Sequence, residues 1–333
     1  MKSFYAPLIL VLCLVAGFAE SSQAAAEGSF DRTLPVSSPL KVDVWTDSGD
    51  ISVRAGEPGK IEIHARLRGI NSDDESIESR IQAIESNPPV VRDDEGHSVR
   101  VGYFGNEDAA RNISVTYELV VPADTELHSE TAEGDQTVEG IQGPVDATSG
   151  SGVLHLWHIE KSTRADTGSG DIDLRDVHGR VYAKAGTGTI HIADVSRDLA
   201  SPRSGFMTFP GRERVAMQFI GFPEEVEIIT GSGDVDVEDL EGGLQVTTGS
   251  GNMRVSGRPI SDWMLDTGTG TVRVLFAREA NFALVAHTSS GTIAPHDAVA
   301  VHGTNTPHEL REQVGQGGPS VSIKTASGDI VIE

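Results

Sequence analysis

Apolar and polar residues alternate along much of this chain, and the alternating pattern returns at a basic interval of 18 residues. The repeated unit is clearest at 167–174, which reads Thr-Gly-Ser-Gly-Asp-Ile-Asp-Leu. An isolated copy begins at Thr46, and the other related units begin at Thr131, Ser149, Ala185, Thr230, Thr248, Thr267, Thr288 and Thr325. A short, fixed period of this kind indicates a repeat architecture.

Numbered from its Thr, each unit has apolar residues at places 6, 8, 11, 15 and 17. In the unit at Thr167 these are Ile172, Leu174, Val177, Val181 and Ala183. Alternation with a period of two is typical of a strand with one buried face, and the glycines at places 2 and 4 favour tight corners. Each unit is therefore predicted to form two short strands and two turns.

Two all-β folds are compatible with such a unit: a solenoid of parallel coils, or a series of antiparallel hairpins that closes a barrel or sandwich. In a solenoid the same place of successive coils stacks about 4.8 Å apart. Among the nine repeats, no two neighbouring coils both have a carboxylate at place 5, where acids occur at Asp135, Asp171, Asp234 and Asp329. This spacing weakens like-charge repulsion within a stacked column, so it favours the solenoid.

The segment before the repeats is less regular. A helix is predicted at 73–86, where Ile77, Ile81 and Ile84 share one face. Strands are predicted around it at 40–45, 50–54, 60–67, 98–103 and 113–121. The predicted parts of the chain are a signal peptide at 1–26, an N-terminal β-rich segment at 27–130, and a repeat solenoid at 131–333 with insertions near 197–225 and 295–319.

The first 26 residues have the pattern of a secretory signal peptide, with Lys2, an apolar run at 6–19 and a small-residue end at Ala26. Cys13 lacks the small residues that precede a lipid-attachment cysteine, so a lipoprotein is disfavoured. The alternative is an uncleaved membrane anchor, which is disfavoured because the apolar run is shorter than the roughly 20 residues that span a bilayer. The protein is therefore expected to be exported to the periplasm or the extracellular space, with no membrane-spanning segment after cleavage.

Charge and cysteine content narrow the choice of partners. The chain has 26 Lys+Arg and 50 Asp+Glu, for a formal net charge of −24, and a single Cys. One cysteine excludes a disulfide framework and a cysteine-rich metal site. Nucleic acid is not expected as a partner because the acidic surface repels phosphate backbones. An envelope protein or a glycan remains as the expected partner.

Two tracts carry a resemblance to a known family. They are Ile113-Ser-Val-Thr-Tyr-Glu-Leu-Val-Val-Pro122, which leads into the Thr-Gly-Ser-Gly-Asp repeats, and Thr325-Ala-Ser-Gly-Asp-Ile-Val-Ile332, which closes them. With these features the chain resembles the bacterial putative adhesin family of secreted or envelope proteins. The resemblance implies a right-handed parallel β-solenoid and no assigned enzyme activity, and it supplies no catalytic residues.

The outward column at place 7 is the first candidate site. It begins with Thr137, His155, Asp173 and His191, so that two imidazoles would flank a carboxylate if the coils stack. Such a group could bind a transition metal or act as an acid and base. The alternative is a surface ladder that separates like charges.

The Gly-Ser-Gly-Asp turns, such as the one in the unit at Thr230, resemble calcium-binding nonapeptide repeats. Their period and the placement of their acids differ from that motif, so solvated turn carboxylates are the alternative. His296, His302 and His308 in the second insertion are spaced by six residues and match no metal motif.

The first insertion differs from the rest of the chain in composition. It contains two methionines, Met207 and Met217, and four phenylalanines at Phe206, Phe209, Phe219 and Phe222. It is predicted either to pack over the solenoid or to contact a partner.

The sequence favours a non-enzymatic exported β-solenoid, adhesin-like in its interactions at the surface or envelope. It assigns no catalytic, cofactor-binding or metal-binding residue and expects no cofactor. Two alternatives remain open: a polysaccharide-active β-solenoid enzyme, for which Asp171 and Asp173 are the residues to test, and a Ca²⁺-binding repeat protein. Oligomeric state is left open.

Overall fold

The structure is a computed structural model that describes residues 26–70, 76–106, 108–196, 225–295 and 306–333. Within these ranges the chain forms one helix, α1 (Ile77–Ser86), and strands that join in a single 24-stranded sheet. The all-β prediction is therefore confirmed.

The strands of the first half are β1 (Glu27–Pro35), β2 (Lys41–Ser48), β3 (Ile51–Gly56), β4 (Lys60–Gly69), β5 (Val90–Arg92), β6 (Ser98–Val101), β7 (Ile113–Pro122), β8 (Glu126–Glu133), β9 (Gln136–Glu139), β10 (Val145–Ser151), β11 (Leu154–Ile159) and β12 (Thr163–Ser169). Those of the second half are β13 (Ile172–His178), β14 (Val181–Thr187), β15 (Ile190–Ser196), β16 (Glu225–Ser232), β17 (Val235–Ser250), β18 (Met253–Thr269), β19 (Val272–Phe276), β20 (Phe282–Ser290), β21 (Ile293–Pro295), β22 (Glu309–Val314), β23 (Ser320–Ser327) and β24 (Ile330–Ile332).

These strands form two parallel stacks. Stack I runs in the order β6, β2, β8, β10, β12, β14, β16, the C-terminal halves of β17 and β18, then β23 and β20. Stack II runs in the order β7, β3, β9, β11, β13, β15, the N-terminal halves of β17 and β18, then β19, β24 and β21. Val145 pairs with Thr163, and Thr163 pairs with Val181. Parallel pairing of this kind is solenoid-like and differs from a series of antiparallel hairpins.

The apolar places of the repeat fill the space between the two stacks. In the unit at Thr167, all five predicted core residues are at most 1% exposed. Middle coils are filled by aliphatic side chains, whereas aromatic rings pack near the two ends, where Phe30 meets Tyr117 and Phe276 lies between Trp263 and Phe282. Burial of each such aliphatic side chain contributes about 1.5–3 kcal/mol. The predicted inward and outward assignment is confirmed.

A buried column of hydroxyls and a column of glycines line one corner of the stacked coils. The Thr167 hydroxyl donates a hydrogen bond of 3.2 Å to the carbonyl oxygen of Gly152 in the neighbouring coil. Gly152 has a φ of 153°, and a Cβ added to it would lie 1.9 Å from the Gly134 carbonyl oxygen. Place 4 therefore requires glycine, both for its φ and for the close approach of the next coil.

Carboxylates at place 5 join neighbouring coils. Asp171 accepts the backbone N–H of Thr189 at 2.7 Å, and Asp329 accepts that of Thr292 at 2.8 Å. Hydrogen bonds from the Thr292 backbone N–H and then from its hydroxyl hold the pKa of Asp329 below its usual range. These acids are thus held by the main chain of the next coil, which explains why the repeat has Asp at this place.

The copy at Thr46 is not isolated, which corrects the prediction. Thr46 pairs with Thr131, so it belongs to the stacked column. Asp50 consequently lies beside Asp135 and accepts its backbone N–H at 2.9 Å. The expected separation of carboxylates therefore fails at this step of the column, and the hydrogen bond offsets part of the repulsion.

Both ends of the sheet have a coil order that differs from the sequence order. The coil made by β2 and β3 lies between β6–β7 and β8–β9. At the other end, β23 and β24 are inserted between the coil of β18–β19 and that of β20–β21. Antiparallel strands extend these ends: β4 and β1 on β7, β5 on β6, and β22 on β20.

The five strands predicted before the repeats are present, with ends that differ by no more than three residues, whereas β1 and β5 were not predicted. The described part of the helix begins at Ile77, with Ser76 as its N-cap, and buries the three predicted isoleucines. The predicted residues 73–75 lie outside the described ranges.

Several predicted segments fall wholly or partly outside the described residues. Of the predicted signal peptide, only Ala26 is among the described residues. Of the first insertion, only Glu225 is, and it begins β16. The described part of the second insertion contains β22. The sheet runs across residue 130 through the pairing of β2 with β8, and the division of the chain at that residue stays a prediction.

Candidate functional site

The predicted column at place 7 is assembled on the outer face of stack II. Neighbouring strands bring Thr137 beside His155, His155 beside Asp173, and Asp173 beside His191. The distance from His155 Nδ1 to Asp173 Oδ2 is 3.6 Å. The stacking that the prediction required is therefore present.

The contacts of this column are those of a charge ladder. Asp173 accepts a hydrogen bond of 2.9 Å from the Nε of Arg175, two residues along the same strand. His191 Nδ1 lies 4.0 Å from Asp236 Oδ2 on the next strand. Across the described ranges, no three His, Cys, Asp or Glu side chains are grouped so as to hold a metal ion. The geometry therefore favours the surface-ladder interpretation of the column.

The turn carboxylates are also committed to protein contacts. Asp234 Oδ1 accepts the backbone N–H of Asn252 at 2.7 Å, as Asp171 does for Thr189. Each carboxylate is thereby directed toward the main chain of the next coil. These hydrogen bonds are a structural reason for the presence of the turn carboxylates, which the calcium alternative would use as ligands.

A second outward column, which the sequence analysis did not single out, crosses stack I. Seven neighbouring strands, from β6 to β16, place one residue each on this line. In spatial order the residues are Arg100, Asp43, His128, Asp146, Arg164, Tyr182 and Glu227. We call this column the stack I ladder. With about 4.8 Å between strands, it extends over roughly 30 Å.

Asp146 is the centre of the stack I ladder. Its side chain is 8% exposed, and its two oxygens lie 3.5 Å from His128 Nδ1 and 3.8 Å from Arg164 Nε. Arg164 also donates to Asp166 at 3.0 Å. The hydrogen bond with Asp146 raises the pKa of His128, and the nearby Asp43 and Glu130 carboxylates act in the same direction. The ladder thus holds alternating charges in contact.

Aromatic rings flank these charges. The Arg164 guanidinium lies 4.3 Å from the centre of the Tyr182 ring, and that of Arg100 lies 4.2 Å from the centre of the Tyr103 ring. The Tyr103 hydroxyl donates to Asp43 at 2.5 Å, and its ring lies 6.4 Å from that of Trp45. Burial raises the pKa of Tyr103 and of Tyr182, so both phenols stay neutral. The face therefore combines half-buried aromatic rings with paired charges.

Part of the stack I ladder could have been predicted from the sequence. His128, Asp146, Arg164 and Tyr182 are separated by the repeat interval and fall at the outward place between two buried ones. The pairing of Arg100 with Asp43 follows no repeat interval and depends on the inserted first coil.

Comparison with known proteins gives one family match. Residues 220–333 match the family model Toastrack DUF4097. This match supports the resemblance to the putative adhesin family and fits a solenoid-like fold. No curated protein matches the chain.

Solved structures similar to this chain are named for adhesion. A putative adhesin from Bacteroides fragilis is 10% identical, with 92% of this chain and 97% of that chain covered and a TM-score of 0.36. A putative adhesin from Parabacteroides distasonis is 7% identical, with 92% and 97% covered and a TM-score of 0.32. A putative cell adhesion protein from Clostridium sporogenes is 9% identical, with 92% and 99% covered and a TM-score of 0.19. Among the described residues, no helix has the length and apolar character required to cross a membrane.

Proposed function

We propose that this chain is a non-enzymatic, exported, adhesin-like β-solenoid that binds a surface or envelope glycan through the stack I ladder. The ladder is the observation that carries the proposal, because it lines up charged side chains and the Tyr182 ring across seven strands, with the Tyr103 and Trp45 rings beside one end. Export rests on the predicted signal peptide at 1–26. The proposal includes the right-handed winding that the family resemblance implies and a coil of about 18 residues, which is the repeat interval.

The form of this face is suited to an extended ligand. Small-molecule sites are usually concave, whereas the ladder is a long strip on the outside of a sheet. Tyr, Trp and Arg are enriched among the residues that contribute most to binding interfaces. Tyr182 and Arg164 belong to the ladder, and Trp45 lies beside it, two residues after Asp43 on β2. The ring faces can pack against the C–H faces of sugars, and the charged groups can hydrogen bond to hydroxyls.

The contacts of the acids favour binding over catalysis. A general acid or base must exchange a proton with the substrate. The carboxylates named for the enzyme alternative are engaged elsewhere, Asp171 with the Thr189 N–H and Asp173 with Arg175. A binding surface does not require its carboxylates to exchange protons. Carboxylates in ion pairs can still serve there, because the pairing fixes the orientation of the groups that contact a ligand.

A glycan array followed by calorimetry on the bound glycans tests the proposal. Tyr182→Ala combined with Arg164→Ala should weaken binding about tenfold or more, since two interface residues of hot-spot type are removed. Arg175→Ala, which changes an exposed, ion-paired arginine of stack II, is the matched control and should bind normally. Equal binding by the double variant and the wild type would contradict the proposal. If the same glycans are cleaved, and Asp171→Asn or Asp173→Asn stops cleavage, the enzyme alternative replaces it.

A further inference from the structure

The ladder of alternating charges on stack II is interrupted at Arg254 and Arg273. These residues pair directly on the parallel strands β18 and β19, and both are exposed. Like charges at paired positions of neighbouring strands destabilise a sheet. The pair is conspicuous in a chain with a net charge of −24, whose ladder otherwise alternates through His155, Asp173 and His191.

The two arginines line a groove with mixed chemistry. Its volume is about 340 Å³, which lies within the usual range for ligand sites. The other lining residues are the carboxylate-bearing Glu238, Asp239 and Glu333, the apolar Val255 and Leu275, and Ser256. Leu275 is 51% exposed, so the groove has an open apolar wall beside its charged groups.

The wall of this groove is fixed by main-chain contacts. Asp239 has a φ of 51°, and its N–H donates to the Ser256 hydroxyl oxygen at 3.0 Å. Glu333 is held on both sides, because its carbonyl accepts the Phe276 N–H at 2.9 Å and its N–H donates to Val274 at 2.8 Å. Glu333 Oε1 lies 3.7 Å from Arg273 Nε. The main chain that carries Asp239 and Glu333 is therefore held in position beside the arginines.

From this arrangement we propose that the groove is a binding subsite for an acidic sugar residue, a hexuronate, separate from the stack I ladder. Two guanidinium groups side by side can hold one carboxylate through paired N–H donors. The Glu and Asp side chains accept hydrogen bonds from sugar hydroxyls, and Leu275 packs against the apolar face of the ring. The three acids beside the two arginines reduce the local positive charge, so a multiply charged anion such as phosphate is attracted less than it would be by two unpaired guanidinium groups, and the site depends on hydrogen bonds to the sugar as well as on its carboxylate.

Calorimetry with a trimer of galacturonic acid tests this site. The wild-type protein should bind the trimer, and Arg254→Gln or Arg273→Gln should weaken binding about tenfold, since each removes hydrogen bonds to a charged group. Arg254→Lys keeps the charge but loses the fork and should give a smaller loss. Arg258→Gln, on the same strand with an ion pair to Glu279, is the matched control and should bind normally.

Three results would overturn the inference: no binding of the trimer by the wild-type protein, equal binding by the Arg254→Gln variant, or equal binding of a neutral galactose trimer. Competition by inorganic phosphate at the same concentration would also overturn it, because it would show a simple anion site. The Tyr182→Ala, Arg164→Ala variant should bind the trimer normally. Failure of the stack I proposal is thereby distinguished from failure of this one.

Discussion

At the scale of single residues, glycine at place 4 is constrained twice. The backbone at Gly152, Gly170 and Gly251 has φ near 155°, and a Cβ at each would meet the carbonyl oxygen of the neighbouring glycine at about 2 Å. Residues with a side chain rarely adopt this φ, and the approach of the next coil leaves no room for one. Glycine at this place therefore sets how closely the coils can stack.

Substitution of Gly152 by alanine should lower the free energy of unfolding by about 2–4 kcal/mol, from backbone strain together with overpacking. Gly105→Ala is the control, because a Cβ added there meets nothing within 4 Å. Chemical denaturation of both variants measures the difference. If the two variants unfold at the same denaturant concentration, the close stacking at this corner is incorrect.

Also at the scale of single residues, His128 makes the stability of the folded protein depend on pH. Its pKa in the folded protein is raised, first by the hydrogen bond with Asp146, above the ordinary value of about 6.5. The protonated imidazole therefore stabilises the folded state, fully so below the unfolded pKa, and this contribution is lost as pH rises through the folded pKa.

The melting temperature should therefore differ less between pH 5.5 and pH 8 in His128→Gln than in the wild type. The wild type should gain more stability at the lower pH. Asp146→Asn should reduce the same difference, because it removes the partner that raises the pKa. A His128→Gln variant with an unchanged pH profile would exclude this ion pair as the source.

At the scale of the strand, the repeat assigns alternate residues to opposite sides of the sheet. On β17, Val235 is 1% exposed in the core, whereas Asp236 faces outward beside His191. The same alternation is found on β13, where Ile172 and Leu174 point inward and Asp173 outward. A strand in this fold therefore tolerates change on one side and resists it on the other.

Val235→Asp should destabilise the protein by about 3 kcal/mol or more, because it buries a charge with no partner in an aliphatic core. Asp236→Asn should change stability by less than about 0.5 kcal/mol, as is usual for an outward side chain. The midpoints of urea unfolding for the two variants measure this contrast. Equal midpoints would contradict the inward and outward assignment of β17.

At the scale of the whole molecule, the inserted coils determine which strands are neighbours at the two ends of the sheet. β20 is hydrogen-bonded in parallel to β23 and in antiparallel fashion to β22, with β23 separating it from β18. The C-terminal coil is therefore an internal layer, although it comes last in the sequence. An exposed edge strand is a site of aggregation, and antiparallel strands cover the end strands β6 and β20 of stack I and the end strand β7 of stack II.

Removal of residues 320–333 should consequently unfold β20–β22 as well, because the deleted coil is what joins them to β18 and β19. Hydrogen exchange should show loss of amide protection at 282–290 with protection retained at 172–178. Protection that persists at 282–290 in the truncated protein would show that β20 docks without the inserted coil.

The sequence alone predicted most of the strands and the buried places, because both follow from local signals, and it favoured parallel stacking through the spacing of the acids at place 5. Period-two alternation assigns Val235 to the core, and glycine at Gly152 marks a corner, whatever the rest of the chain does. These signals repeat at a fixed interval, so each copy supports the interpretation of the others. The helix was predictable for the same reason, from three isoleucines on one face.

Only the tertiary structure decided the order of the coils at the two ends and the surfaces that depend on that order. Asp43 meets Arg100, and Trp263 pairs with Val321, across separations that match no repeat interval. The pattern within a coil is the same whichever neighbour it has, so it cannot specify that neighbour. The choice is made by covering the exposed edges and packing the end aromatics, which are properties of the assembled sheet.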